Sequence, residues 1–394
     1  MTSVRLCRRP KEILPKSCSA NFKVPPVFSH RSLSPEEQLV LAVAQGSDAE
    51  PLIESLVHQV TDWSFVEEQL VKHSLAPRAE PLFRARHERI PATILQLVDA
   101  SKRRAAAANI TGTQQLLRVV RALEAEGIPV IPFKGPTLAQ WAYGDVSLRR
   151  FGDLDILVPR ERVAHAAVLL EGEGYTAYRS FDNGAARDAF IDSQMGWEFV
   201  DRDRNSVVEL HWNFFFSIYP FALTPDRVWA RHVRRSTWGH PIRAMHPVDM
   251  LLYLCYHGVK HRYASLKWLV DVRAWIAAHP SLNWTDVLSA AEAARCQRAV
   301  HVSLLLTAEL LHFPVPPPVK GALLADTRAQ GLARQIVDGW LFAPLSQQST
   351  EVVEDIWFHV RSCDRLADSW PFVAHYLGLF WKSKVAGSAD TREG

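Results

Sequence analysis

Apolar residues recur at helical spacing through the N-terminal part of the chain, from about residue 34 to 126. Ser34 and Pro35, followed by two glutamates, predict a helix start, because serine caps a helix and acids favour its positive end. A long helix is predicted from about Pro91, and Gly127 supplies the glycine that ends it. This part of the chain is therefore expected to be entirely helical.

Short apolar runs of strand length replace this pattern after Gly127. The predicted order is a strand at 128–133, a helix at 137–143, a strand at 153–158, a helix at 161–171 and a strand at 175–179. Segments 196–200 and 206–212 flank a polar loop, which is typical of an antiparallel hairpin. Two prolines in the run at 128–133 favour an edge strand, since proline donates no ladder hydrogen bond.

Helical spacing returns after residue 224, with helices predicted at 226–234, 246–261, 266–278 and 284–311. The fold class is therefore α+β, a small mixed sheet flanked by N-terminal and C-terminal helical regions. The predicted organisation is a disordered basic leader at 1–33, an N-terminal helical region at 34–126, a sheet domain at 127–223, a C-terminal helical domain at 224–313, a helical extension at 314–385 and a disordered tail at 386–394.

Composition places the chain among globular proteins, with 48% hydrophobic and 22% charged residues in 394. The net charge of +3 is too small to argue for nucleic acid, and much of it comes from the leader, where seven Lys or Arg stand against Glu12. No apolar run is long enough to predict a membrane span. The five cysteines are dispersed without zinc-like spacing, which favours reduced thiols and a cytoplasmic location.

Two aspartates separated by one residue, Asp153 and Asp155, are the strongest sign of chemistry. Alternation along a strand directs both carboxylates to one face, where their repulsion favours a bound cation such as magnesium. Glu209 lies in an apolar strand and completes a three-carboxylate cluster if that strand pairs beside the aspartates. The alternative is an exposed glutamate, or one paired with a nearby arginine.

A second set of residues has the chemistry of a phosphate site. Lys134 and Gly135 lie between a strand and a helix start, where backbone amides favour anions, and Thr137 can add a contact. Arg149, just before the aspartates, could clamp phosphate oxygens. An ordinary turn at Lys134-Gly135 and a surface position for Arg149 are the alternatives.

Histidines near the acids are candidates for supporting roles. His257 and His261 share a helix face, but the intervening residues lack the glutamate of a zinc-protease helix. They are either metal ligands or packed structural histidines. Asp271 could lie on the same surface or cap a neighbouring helix.

The order of these elements resembles the nucleotidyltransferase superfamily with the DNA polymerase beta-like palm. More narrowly, it is similar to a bacterial branch of nucleotidyltransferase family proteins. The likeness covers about residues 35 to 310. The matching elements are a strand ending in Lys134-Gly135, a helix, Arg149, the Asp153-Leu154-Asp155 strand, the Glu209-Leu210-His211-Trp212 strand, the spaced histidines His257 and His261, and Trp268-Leu269-Val270-Asp271.

This resemblance implies that residues 127–223 form a nucleotidyltransferase palm-like domain. Asp153, Asp155 and Glu209 would hold two magnesium ions, and Glu209 would help to activate the acceptor hydroxyl. His211 would support the metal ligands. The better-studied members place Gly-Ser about a dozen residues before the aspartates, whereas here Gly135 lies 18 positions before Asp153, so the phosphate grip must differ.

The resulting hypothesis is a cytoplasmic, bacterial, magnesium-dependent nucleotidyltransferase that uses an NTP and an unknown acceptor and releases pyrophosphate. The acceptor could be a small molecule, a peptide or RNA. One alternative is a non-catalytic descendant that binds a nucleotide or a protein, and another is a toxin–antitoxin-type transferase acting on tRNA or a partner protein. The hypothesis predicts that the carboxylates of Asp153, Asp155 and Glu209 converge within about 5 Å, compatible with paired metals.

Overall fold

The computed structural model describes residues 32–343 and 352–378. The predicted leader at 1–33 lies almost wholly, and the predicted tail at 386–394 wholly, outside these residues. The N-terminal helices are α1 (Pro35–Gln45), α2 (Glu50–Leu56), α3 (Trp63–Lys72), α4 (Ala76–Arg84) and α5 (Ala92–Ala125). Ser34 caps α1 through a capping box with Glu37, and Asp62 caps α3.

Among the described residues, five strands form the central sheet. In chain order this part contains β1 (Ile131–Pro132), α6 (Gly135–Leu138), β2 (Leu154–Leu157), α7 (Val163–Gly172), β3 (Thr176–Ala177), α8 (Gly184–Ser193), β4 (Gly196–Asp201) and β5 (Ser206–His211). The strand order is β1-β2-β5-β4-β3, with β2 and β5 parallel and the other pairs antiparallel. The predicted mixed sheet and the hairpin of β4 and β5 are both confirmed.

The remaining elements follow the sheet. They are α9 (Pro225–Arg231), β6 (Val233–Thr237), β7 (His240–Ala244), α10 (Pro247–Lys260), α11 (Leu266–Ala278), α12 (Trp284–Ala293), α13 (Gln297–Leu310), α14 (Lys320–Ala325), α15 (Thr327–Ile336) and α16 (Val352–Ser362). No helix in the described ranges has the length and hydropathy needed to cross a bilayer.

Several predicted boundaries are wrong. The run at 128–133 forms strand only at Ile131–Pro132, since its prolines donate no ladder hydrogen bonds. The helix predicted at 226–234 ends at Arg231, and a hairpin of β6 and β7 follows that the helical pattern did not indicate. The helix predicted at 284–311 is two helices, because the backbone turns at Arg295 with a φ of 53°.

The two faces of the central sheet have different environments. Leu154 and Ile156 of β2 join Leu210 of β5 in a core covered by α5 and α7. Leu157 points the other way, into the core of the helical regions. Asp155 therefore lies on the sheet face directed toward the helical regions. This alternation, which the sequence predicted, places the polar residues between the sheet and the C-terminal helices.

Candidate active site

Asp155 and Glu209 are neighbours on the two parallel strands at the centre of the sheet. The β2–β5 register pairs Asp155 directly with Glu209. Because paired residues project to the same face, the two carboxylates lie side by side. Asp155 is buried, with 1% exposure, whereas the Glu209 side chain is 34% exposed. The predicted pairing of the Glu209 strand with the aspartate strand is confirmed.

His211 completes this group from the same strand as Glu209. Its Nε2 lies 3.0 Å from Glu209 Oε2 and 3.3 Å from Asp155 Oδ1. One ligand atom from each of these three residues lies within 4.8 Å of the others. A Cβ at Gly196, opposite on β4, would lie 3.0 Å from His211 Nδ1, so this glycine leaves room for the ring. The three residues thus present two carboxylates and an imidazole to one point.

Lys134 enters the group from the loop after β1. Its Nζ lies 2.6 Å from Asp155 Oδ1 and near the rings of Phe133 and Tyr253. Gly135 has a φ of 53°, and a Cβ there would lie 3.0 Å from the Asp153 carbonyl oxygen, so the chain needs glycine for this close approach. The Lys-Gly pair therefore places an ammonium group against the central carboxylate.

Opposing effects act on the pKa values in this group. Burial alone would raise the pKa of Asp155, but the Lys134 ammonium and the His211 hydrogen bond lower it to about 2. Burial opposes protonation of His211, yet hydrogen bonds to the two carboxylates raise its pKa above the ordinary value. Asp155 is therefore ionised at neutral pH. Its Oδ2 atom is buried without a hydrogen-bond partner among the described residues.

Asp153 lies one residue before β2 and is partly exposed. It is not one of the three residues whose ligand atoms converge within 4.8 Å. Burial and the negative charge on Asp155 raise the pKa of Asp153, and Glu209 acts in the same direction. The predicted three-carboxylate convergence is therefore observed for Asp155 and Glu209, with His211 in the third place. Asp153 contributes its charge from the edge of the group.

Two residues predicted to bind phosphate are engaged within the protein. The Thr137 hydroxyl donates to the Lys134 carbonyl at 2.8 Å. Arg149 donates to both carboxylate oxygens of Asp271, at 2.7 and 3.0 Å, and the Tyr143 hydroxyl donates to the same carboxylate at 2.6 Å. Their phosphate-binding roles remain predictions. The Asp271 carboxylate is thus engaged by Arg149 and Tyr143, and a supporting role for it in the site remains a prediction.

His257 and His261 pack among aromatic rings. The His257 ring stacks on Tyr253 at 5.7 Å between centroids, and His261 stacks on Trp268 at 5.0 Å. Burial, followed by the charge on Lys134, lowers the pKa of His257 well below its usual value. Burial and Lys260 lower the pKa of His261 to about 4. Both rings are therefore neutral and packed, and neither belongs to the acid and imidazole group.

Two further lysines face this region and were not predicted. Lys260 ends α10 and lies over the rings of Phe215 and Tyr219, and Lys267 lies over Trp268. Neither forms an ion pair with an acid in the described ranges. Burial and then neighbouring positive charges, from Lys134 and Arg149 respectively, lower the pKa values of Lys260 and Lys267. Only the aromatic neighbours in the sequence could have indicated such half-buried cations.

Comparison with known proteins identifies the family. Residues 59–312, more than half of the chain, match the model of a family described as uncharacterised nucleotidyltransferases. No match was found among curated proteins.

Two solved structures are similar at 14% identity. One is the solution structure of the antibiotic-resistance factor ANT(2'')-Ia, with a TM-score of 0.30, covering 45% of this chain and 88% of that chain. The other is a crystal structure of ANT(2'')-Ia in complex with adenylyl-2''-tobramycin, with a TM-score of 0.31, covering 46% and 97%. At these scores neither carries an argument about this chain. The family match covers more than half of the chain, and it shows that the chain belongs to the uncharacterised nucleotidyltransferases.

Proposed function

We propose that this protein transfers a nucleoside monophosphate from an NTP to an acceptor and releases pyrophosphate. Asp155 and Glu209, with Asp153 at the edge, are the catalytic carboxylates of this proposal. The observation that carries it is the direct pairing of Asp155 with Glu209 on parallel strands, together with His211. Family membership supports the reaction class.

The donor set fits a divalent cation. Asp155 Oδ2 is a buried carboxylate oxygen without a protein partner among the described residues, and such an atom needs a cation or a donor. Glu209 is open to solvent, so an ion can reach the pair. Carboxylates suit magnesium, and His211 adds a ligand that manganese also accepts. Asp155, Glu209 and His211 would hold the ion.

The chemistry requires one bond to form and one to break. The acceptor hydroxyl oxygen attacks the α-phosphorus, and the bond from that phosphorus to the bridging oxygen of the β-phosphate breaks. The hydroxyl proton passes to Glu209, whose carboxylate is partly exposed, and pyrophosphate leaves. Magnesium, when bound, would neutralise charge on the phosphoryl oxygens.

Lys260 and Lys267 are the cations that we assign to the triphosphate. They are half-buried, lack acidic partners among the described residues, and interact electrostatically with Lys134 or Arg149. Half-buried lysines whose pKa values are lowered by burial and by neighbouring cations gain most from a bound anion. The triphosphate would then be bound by lysines of α10 and α11 instead of by the Gly-Ser loop of the better-studied members.

A labelled-nucleotide assay tests the proposal. The purified protein, incubated with each α-³²P-labelled NTP, magnesium and a cell extract as the acceptor pool, should transfer label and release pyrophosphate. Asp155→Asn should abolish both, and Arg103→Gln, at an exposed arginine of α5 that pairs with Asp99, should leave both unchanged. Equal transfer by the wild type and Asp155→Asn would contradict the proposal.

A non-catalytic nucleotide-binding protein is the second candidate. The contact of Lys134 with Asp155 favours it, because this ammonium already neutralises the central carboxylate. It predicts nucleotide binding that is independent of magnesium, measured by calorimetry, without turnover on any acceptor. The transferase proposal predicts tighter NTP binding when magnesium is added.

The proposal also concerns the acceptor substrate and the cellular compartment. A small molecule, a peptide or tRNA each offers a suitable hydroxyl, and a toxin–antitoxin-type role would appear as growth arrest that depends on Asp155. The thiols of Cys255, Cys296 and Cys363 are free and buried, which supports a reducing compartment such as a bacterial cytoplasm.

A further inference from the structure

The Lys134 ammonium already contacts the proposed metal site. It lies 2.6 Å from Asp155 Oδ1, the carboxylate at the centre of the group. His211 Nε2 approaches the same oxygen at 3.3 Å. Two divalent ions about 4 Å apart would both have to draw on this small group of carboxylates. Lys134 and His211 lie within ion-pair distance of Asp155 Oδ1, whereas Oδ2 has no such contact among the described residues.

We infer that Lys134 is a built-in counter-cation, so that the protein binds one divalent cation where the family resemblance implies two. This inference rests on the proposed function and concerns the same site. The contact geometry supports it, because the Lys134 ammonium already supplies one positive charge to Asp155 at 2.6 Å.

The surroundings of Lys134 hold the ammonium in place. The side chain is only 17% exposed, and Asp155 is fully buried. Displacing Lys134 from this buried ion pair would leave its ammonium without the carboxylate partner, which is unfavourable. Phe133 and Tyr253 border the amino group, with ring centroids at 5.7 and 6.0 Å. A second divalent ion would have to displace Lys134 against this cost.

The backbone before the aspartates reinforces this arrangement. The left-handed conformation of Gly135 brings the Lys-Gly segment against the carbonyl of Asp153. The Phe133 amide donates to the Asp155 carbonyl at 3.2 Å, which fixes the start of that segment. Lys134 is thus carried on backbone that is attached to the aspartate strand. The Lys-Gly pair supplies charge to the carboxylates here, whereas a Gly-Ser pair could not.

Counting bound manganese tests the inference. Electron paramagnetic resonance of free Mn²⁺, titrated into the full-length protein without nucleotide, should show one equivalent bound to the wild type. Lys134→Met keeps the length of the side chain and removes its charge, so it should bind a second equivalent. Lys102→Met removes the charge of a lysine that pairs with Glu80 of α4, and this variant should still bind one equivalent. Asp155→Asn should lose tight binding.

Each outcome decides a different point. Two equivalents in the wild type, or one in folded Lys134→Met, would overturn the inference and leave the proposed transferase intact. No binding to the wild type would overturn both. Thermal unfolding gives a second readout if Lys134→Met is unstable, because Mn²⁺ should then raise its Tm more than that of the wild type. An equal rise in both proteins would contradict the role of Lys134.

Discussion

The ion pair between Arg149 and Asp271 gives the most quantitative prediction. It joins the loop before β2 to α11, so it connects the aspartate strand to the C-terminal helices. The two side chains are 12% and 2% exposed. We consider Asp271→Ala, which removes the carboxylate and leaves the guanidinium of Arg149 buried.

The size of the effect follows from the contacts that are lost. The Asp271 carboxylate accepts two hydrogen bonds from Arg149 and one from Tyr143. Breaking a buried pair by removing one partner costs about 3–5 kcal/mol, because the remaining charge has no compensation. The double variant Arg149→Met/Asp271→Ala leaves no such charge. We therefore expect it to lose less stability than the two single variants together, with a coupling free energy of about 2 kcal/mol.

Urea unfolding, followed by tryptophan fluorescence and circular dichroism, measures these free energies by linear extrapolation. The two signals must give coincident transitions for the values to be compared. A loss below about 1 kcal/mol for Asp271→Ala, or additive losses in the double variant, would refute the reasoning. If Arg149 instead served mainly to bind phosphate, Arg149→Met would weaken NTP binding and leave the free energy of unfolding unchanged.

Three further predictions concern the core. Burial lowers the pKa of His73 to about 3, so the unfolded chain takes up a proton below about pH 6.5 that the folded chain does not. The free energy of unfolding should therefore keep its full contribution from His73 above about pH 6.5 and fall by up to about 1.4 kcal/mol per pH unit below it. Urea unfolding at pH 7 and 5 should show a smaller fall for His73→Gln than for the wild type. Gly258→Ala should lower the Tm in a thermal melt, because its Cβ would lie 2.3 Å from the Tyr263 ring, whereas Gly321→Ala, with nothing within 4 Å, should not. Burial raises the pKa of three thiols, so maleimide labelling at pH 8 with mass spectrometry should modify them only after unfolding: Cys255, Cys296 and Cys363.

Alternation along the strands made the sheet and the acid pair predictable. Leu154 and Ile156 have to face the core, so Asp155 must face the other way, and the same argument applies to Glu209 between Val208 and Leu210. The register that places Asp155 beside Glu209 could only be assumed, because nothing local to either strand determines which residues pair.

Long-range pairing explains most of what the sequence did not predict. The contact of Lys134 with Asp155 joins residues on different elements, and Lys134 was predicted to bind phosphate instead. Arg149 was likewise predicted to bind phosphate, but its partner Asp271 lies far along the chain, on a helix whose orientation no periodicity reveals. The hairpin of β6 and β7 was missed because its short polar strands lack a clear apolar alternation.

The central claim is that Asp155, Glu209 and His211 form a divalent cation site. The most direct test is a crystal soaked in Mn²⁺, with an anomalous difference map calculated from data recorded near the manganese absorption edge. The account predicts a manganese peak within bonding distance of the carboxylates of Asp155 and Glu209. Well-ordered side chains without a peak between them, while Mn²⁺ binds elsewhere on the protein, would contradict it.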